Sequence, residues 1–196
     1  MDPVLAVAFG AGVAAAAVLW AALLATVALP GIRFWPPGLR DWRFALNWGL
    51  VLCFDAALAV VIFRTWDTWV LPRTAPVLGA GVALCLGGAA LAVAGARALP
   101  GEVSVGLGGQ LQTGGLYDRT RNPQYLGMVA ALVGAVLLVD SLPATVLLLL
   151  NAGWLLLRPF AEERYLAERH GEAYERYRER VPRFVGRRTL RWSAGD

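Results

Sequence analysis

The sequence predicts an all-α fold: an integral membrane bundle of about five transmembrane helices with a C-terminal amphipathic cytoplasmic helical tail. Three observations carry this. Of the 196 residues, 58% are hydrophobic and only 16% charged, with a mean hydropathy of +0.55, a balance far more apolar than soluble domains of this length show. Five apolar segments stand out, at residues 4–29, 44–63, 76–98, 123–139 and 142–157. The basic residues, all Arg and no Lys, gather in alternate connections between them.

The first three segments exceed the roughly 17–20 residues needed to cross a hydrocarbon core. The first lacks a basic leader and is longer than a signal-peptide core, so it is expected to stay as a helix. The last two are shorter and separated only by the turn around Asp140 and Ser141, which reads as a helical hairpin. Pro143 falls in the opening turn of the fifth helix, where its missing N–H costs nothing. The connection 99–120 is long, Gly-rich and aperiodic, and long connections in compact bundles are usually functional or disordered. In the tail, residues 160–181, Leu166, His170, Ala173, Tyr174, Tyr177 and Val181 share one helical face, and Gly171 is placed to break the tail into two helices. One membrane-embedded domain spans 1–196, with a three-helix part at 1–98 and the polar loop, hairpin and tail at 99–196.

Charge sets the expected orientation. Arg33, Arg40 and Arg43 lie in the first connection, Arg97, Arg119 and Arg121 around the third, and ten Arg from Arg158 onward. The start and the hairpin turn carry none, which fits an outside N-terminus and a cytoplasmic C-terminus. Arg64 and Arg73, beside Asp67, are a modest exception. Trp35, Trp42, Trp66 and Trp69 sit at segment edges, as an interfacial aromatic belt requires. The net charge of +4 is accounted for by this orientation, so no nucleic-acid partner is expected. Cys53 and Cys85 read as small hydrophobes. The Arg-only, Ala/Gly/Leu-rich composition points to a bacterial inner (plasma) membrane.

Several residues are candidates for chemistry. Arg158 and Glu162 are four apart at the end of the fifth segment and share a face. They are either an interfacial anchor with its paired carboxylate or a functional pair, since ionisable residues at membrane edges default to a functional reading. Asn122 is a candidate N-cap for a helix opened by Pro123, whose free N–H groups would face an anion or a ring nitrogen. Tyr117 and Tyr125 offer ring faces to a cation, or are interfacial tyrosines beside a capped helix. Asp55, inside the second segment, is either a buried carboxyl bonded to a neighbouring helix or a contact for a cationic head group. The run at residues 106–109 lacks the strand–turn–helix context of a dinucleotide site. His170 is the only His, so a His-based metal site is excluded, and no Ser-His-Asp set is present.

Taken together, these residues resemble a known family. Gly115, Tyr117, Arg121, Asn122, Pro123, Tyr125 and Gly127, followed by an apolar hairpin and then Glu162, Glu163, Leu166, Gly171, Tyr174, Tyr177, Val181, Pro182 and Arg183, resemble the isoprenylcysteine carboxyl methyltransferase family and the related phospholipid methyltransferases. The resemblance covers roughly residues 100–185. It implies an integral membrane enzyme that transfers a methyl group from S-adenosyl-L-methionine, leaving S-adenosyl-L-homocysteine. The acceptor it implies is lipophilic or amphiphilic, a phospholipid amine or an isoprenoid or prenyl carboxylate, at the cytoplasmic face of the lipid bilayer. It implies cofactor contacts from Tyr117, Asn122, Pro123, Tyr125 and Glu162, with Glu102, Gln110, Leu111 and Gln112 closing over the cofactor. Arg158, with Glu162, stands at the acceptor as the catalytic pair. Two departures are notable: Asn122 replaces the usual His, which keeps hydrogen bonding but removes acid–base work, and Gln124 replaces a small or apolar residue. The rival readings are an NADPH-dependent membrane reductase of the sterol reductase type and a non-enzymatic membrane scaffold.

Overall fold

The computed structural model describes residues 2–29, 31–66, 73–186 and 189. The helices, in order, are α1 (Pro3–Ala28), α2 (Trp42–Thr65), α3 (Ala75–Arg97), the single turn α4 (Gly101–Ser104), α5 (Pro123–Val139), α6 (Leu142–His170) and α7 (Glu172–Arg180). A 3₁₀ turn covers Gly115–Asp118. Among the described residues there is no strand, only an isolated parallel bridge between Gly38 and Leu107. All five expected spans form. Four of them are long and apolar enough to cross a bilayer, and α5, at 17 residues, is the short one. The chain is a helical integral membrane protein, and its exposed Leu52, Phe63 and Leu86 are what a lipid-facing surface requires.

Local signals explain the boundaries. Asp2 caps α1 by accepting from the Val4 N–H at 3.1 Å, and Asp41 caps α2 by accepting from Arg43 and Phe44. The Arg43 guanidinium, bonded to the same carboxyl, holds Asp41 below the usual carboxylate range. Proline opens α1, α3, α5 and α6. Gly171, at φ +51°, ends α6 and starts α7, as the sequence suggests.

Three expectations change. The first half of the tail is not a separate helix: α6 continues from the bilayer through Pro159 to His170. Pro159 is fully buried, so its missing N–H leaves a gap in the helix ladder without stopping the helix. Trp35 does not belong to an interfacial belt: it is only 3% exposed, whereas Trp42 and Trp66 are exposed at helix ends. Asn122 occupies the N-cap position of α5, but its side chain makes no capping bond. Asp67, Trp69, Arg187, Arg188 and Arg191 lie outside the described residues.

Helices α1, α2 and α6 pack around Ala15, Ala16, Phe54, Leu58, Leu147 and Leu148, and nearer the other end around Leu19, Leu23, Trp154 and Leu155. Helix α3 packs on α5 and hardly touches α2. The bundle has two distinct ends. At one, Arg64 pairs with Asp2, and Ser141 Oγ donates to Thr65 Oγ1 at 2.7 Å. At the other, the α1–α2 connection, the α3–α5 connection and the tail come together.

Candidate functional site

Two straps meet at that second end. Gly38 N–H donates to the Gly106 carbonyl at 3.0 Å, and Gly108 N–H donates back to Gly38 at 3.1 Å. Gly106 sits at φ +85° against the Trp35 ring, with no room for a Cβ. The tail forms the second strap. Tyr177 donates to the Tyr117 carbonyl at 2.6 Å, and Tyr117 donates to Gly95 at 3.3 Å. Glu163 carries both Arg121, at 3.0 Å, and a two-pronged bond from Arg183 at 2.6 Å. Asn122 Nδ2 donates to the Arg183 carbonyl at 2.9 Å, so this side chain secures the tail rather than capping α5. Burial, reinforced by the Glu163 charge, pushes the Tyr174 phenol up to about 12. Burial likewise pushes Tyr117 and Tyr177 above the ordinary tyrosine range.

At the centre, one turn of α6 carries Arg158 and Glu162. Glu162 Oε1 accepts from Trp35 Nε1 at 2.6 Å and from the Tyr125 hydroxyl. Arg158 is buried and is not ion-paired with Glu162. Its guanidinium instead lies 3.4 Å from the Trp35 ring centroid, 4.5 Å from that of Trp154 and 5.4 Å from that of Tyr125. Arg158 Nε has no hydrogen-bond partner.

This turn stands between two cavities. The first, about 100 Å³, opens between the straps and is lined by Gln110, Leu111, Gln112, Tyr117, Asn122, Tyr125 and Glu162, together with Arg121, Glu163, His170, Tyr174 and Tyr177. Seven of the residues expected at a cofactor therefore share one wall. Glu102 and Pro123 are not on it: Glu102 is exposed and 3.8 Å from Arg40, and Pro123 is packed inside. The second cavity, about 590 Å³, is apolar and opens between α1, α2, α3, α5 and α6, with Arg158 on its wall.

Sequence reasoning missed Trp35, which reaches Glu162 from a connection far away in the chain. The only signal was the Trp35-Pro36-Pro37-Gly38 run, a rigid turn around an aromatic ring. It also assigned no site role to Arg121 or His170, whose Nε and Nε2 atoms are buried on the first cavity without partners. Among the described residues no cluster of three or more metal-ligating side chains occurs.

A cleft lined by charged, amide and aromatic side chains at one end of an apolar helical bundle, with an apolar chamber behind it, is the candidate site of this integral membrane protein. Residues 77–173, just under half of the chain, match the family model described as phospholipid methyltransferase. The match runs from α3 through α6 and omits α1, α2 and Trp35. Comparison with curated proteins and with solved structures returns no match. The family makes methyl transfer to lipid-type substrates the activity to account for.

Proposed function

We propose that the chain transfers a methyl group from S-adenosyl-L-methionine to an amphiphilic lipid acceptor at the cytoplasmic face of the membrane. The observation that carries this reading is the single α6 turn with Glu162 on the polar cleft and Arg158 on the apolar cavity. A donor and an acceptor of opposite solubility would approach that turn from its two sides.

The residues of the cleft fit the donor. Glu162 offers a carboxylate to a cationic or hydroxyl-bearing group, Tyr117 and Tyr125 offer ring faces, and the free Arg121 Nε and His170 Nε2 offer polar contacts to a carboxylate or a purine. As it stands the cleft is below the roughly 300–1,000 Å³ of small-molecule sites. Binding therefore requires the cleft to widen. Asn122 contributes by holding the tail through Arg183, not by proton transfer.

When bound, S-adenosyl-L-methionine supplies an electrophilic methyl group on sulfur. The protein then has to position the acceptor lone pair, and orientation of this kind lowers a barrier by up to about 7–11 kcal/mol. Arg158, held by the Trp35 and Trp154 rings, is fitted to bind a carboxylate or phosphate on the acceptor. The same rings exclude water. Trp35 and Tyr125 fix the Glu162 carboxylate by donating to it. Incubation of the purified protein with labelled S-adenosyl-L-methionine and total membrane lipid tests the proposal. The expected result is a lipid product heavier by one methylene, seen by mass spectrometry. Absence of any labelled lipid, with no calorimetric binding of S-adenosyl-L-homocysteine, would overturn it.

A further inference from the structure

The apolar cavity carries polar groups that the proposed chemistry does not use. Asp55 and Asn151 both line it, and among the described residues neither has a hydrogen-bond partner. Trp154, on the same wall, has a buried indole N–H without an acceptor. Unpartnered polar groups in an apolar slot are costly, and ionisable residues inside a membrane mark ligand paths.

These groups form two tiers. Val51 packs with the Trp154 cluster, Phe54 packs with Leu147 and Leu148, and Thr65 at the end of α2 meets Ser141 at the start of α6, so α2 runs antiparallel to α6. Asp55 therefore lies level with residues 147–151, and Trp48 with the turn that carries Arg158. Asn151 is seven residues from Arg158 and three from Trp154, about 10 Å and about 4.5 Å along the helix axis. The upper tier, Arg158 with the Trp154 N–H, offers only hydrogen-bond donors. The lower tier, Asp55 with Asn151, offers a carboxyl oxygen and an amide oxygen.

The Arg158 guanidinium lies 4.5 Å from the Trp154 ring, so the upper tier sits at the level of Trp154. We infer that this cavity selects an acceptor with two polar features: an anionic or lone-pair-bearing group at Arg158 and Trp154, and, about one helical turn deeper, a hydroxyl or amine that donates to Asp55 and Asn151. This rests on the methyltransferase reading and narrows its acceptor. A single-chain phospholipid with a free glycerol hydroxyl satisfies both tiers, whereas a diacyl phospholipid presents only ester oxygens to the lower one.

The test is equilibrium binding to the full chain in detergent micelles, using two probes that share a brominated acyl chain. One is lysophosphatidylethanolamine and the other its 2-O-methyl ether. Quenching of the cavity tryptophans Trp20, Trp48 and Trp154 reads occupancy. The wild-type protein is expected to bind the hydroxyl probe about tenfold more tightly, the effect of one hydrogen bond gained in an apolar site. Asp55→Leu should erase that preference and Asp55→Asn should keep most of it, both with unchanged S-adenosyl-L-homocysteine affinity. Equal affinity of the two probes for the wild type, or a preference that survives Asp55→Leu, overturns the inference. A preserved preference in a protein that fails to bind S-adenosyl-L-homocysteine supports the cavity's selectivity and counts instead against the methyltransferase reading.

Discussion

Helix α3 has two sides, and they meet their neighbours in opposite ways. Toward α5 it turns Gly81, Gly88 and Gly95, two turns apart, and α5 returns Gly127 and Gly134. The backbones come so close that a Cβ on Gly88 would lie 2.5 Å from the Ala131 nitrogen and 2.6 Å from the Gly127 carbonyl. Toward α2 the same helix presents Ala89, Ala92 and Val93, also small, yet the result is a cavity of about 590 Å³. The difference lies in the partner. Helix α2 answers with Trp48, Val51 and Phe54, and bulk on one side is enough to keep two helices apart. In lipid no hydrophobic force collapses such a gap, because acyl chains fill it as well as side chains do. A sealed seam thus needs small residues on both helices, and an open one needs them on only one.

The most damaging way to break this contrast is Gly88→Leu. Four added carbons would meet backbone that cannot yield, so the loss of stability should be about 3 kcal/mol or more, seen as a lower unfolding midpoint in detergent or as no folded protein. Ala89→Leu, on the open side of the same helix, should leave that midpoint nearly unchanged.

Next in size are changes in the α6 turn that borders the open seam. Glu162→Ala removes the acceptor for both Trp35 and Tyr125, and should cost at least about tenfold in S-adenosyl-L-homocysteine affinity by calorimetry. Arg158→Ala should instead spare that affinity and abolish lipid methylation. Loss of cofactor affinity in Arg158→Ala would undo the division between the two faces of the turn.

A gentler sharpening fills the open seam. Ala89→Trp should keep the unfolding midpoint and S-adenosyl-L-homocysteine binding while reducing lipid methylation about tenfold, since only the acceptor path is blocked. The smallest effect concerns the tail that closes the polar cleft. Tyr174 keeps its proton to about pH 12 when folded, while an unfolded tyrosine loses it near 10. Above pH 10 the unfolded state binds fewer protons, so stability should fall from about pH 10 toward 12. Tyr174→Phe should flatten part of that decline in unfolding midpoints measured across the same range.

Much of the fold was legible from residue order. The spans follow from apolar length, the start of α5 from Pro123, and the α6–α7 break from Gly171. Tyr117, Asn122, Tyr125 and Glu162 were grouped by family resemblance, and in the structure they line one cavity. What could not be read was anything resting on contacts across the chain. Trp35 looked like a belt residue because its distance from Glu162 in sequence hides a 2.6 Å hydrogen bond. Asn122 looked like a cap because local sequence does not reveal that the Arg183 carbonyl would compete for its amide.

Hydropathy and charge, which act over a single helix length, were enough to establish a membrane-embedded helical bundle and the order of its spans. Which seam closes, which stays open, and which aromatic rings enclose Arg158 depend on how helices far apart in the chain are set against one another. Close packing in lipid is decided by the shapes of two facing surfaces at once, and a single strand of sequence carries only one of them at a time.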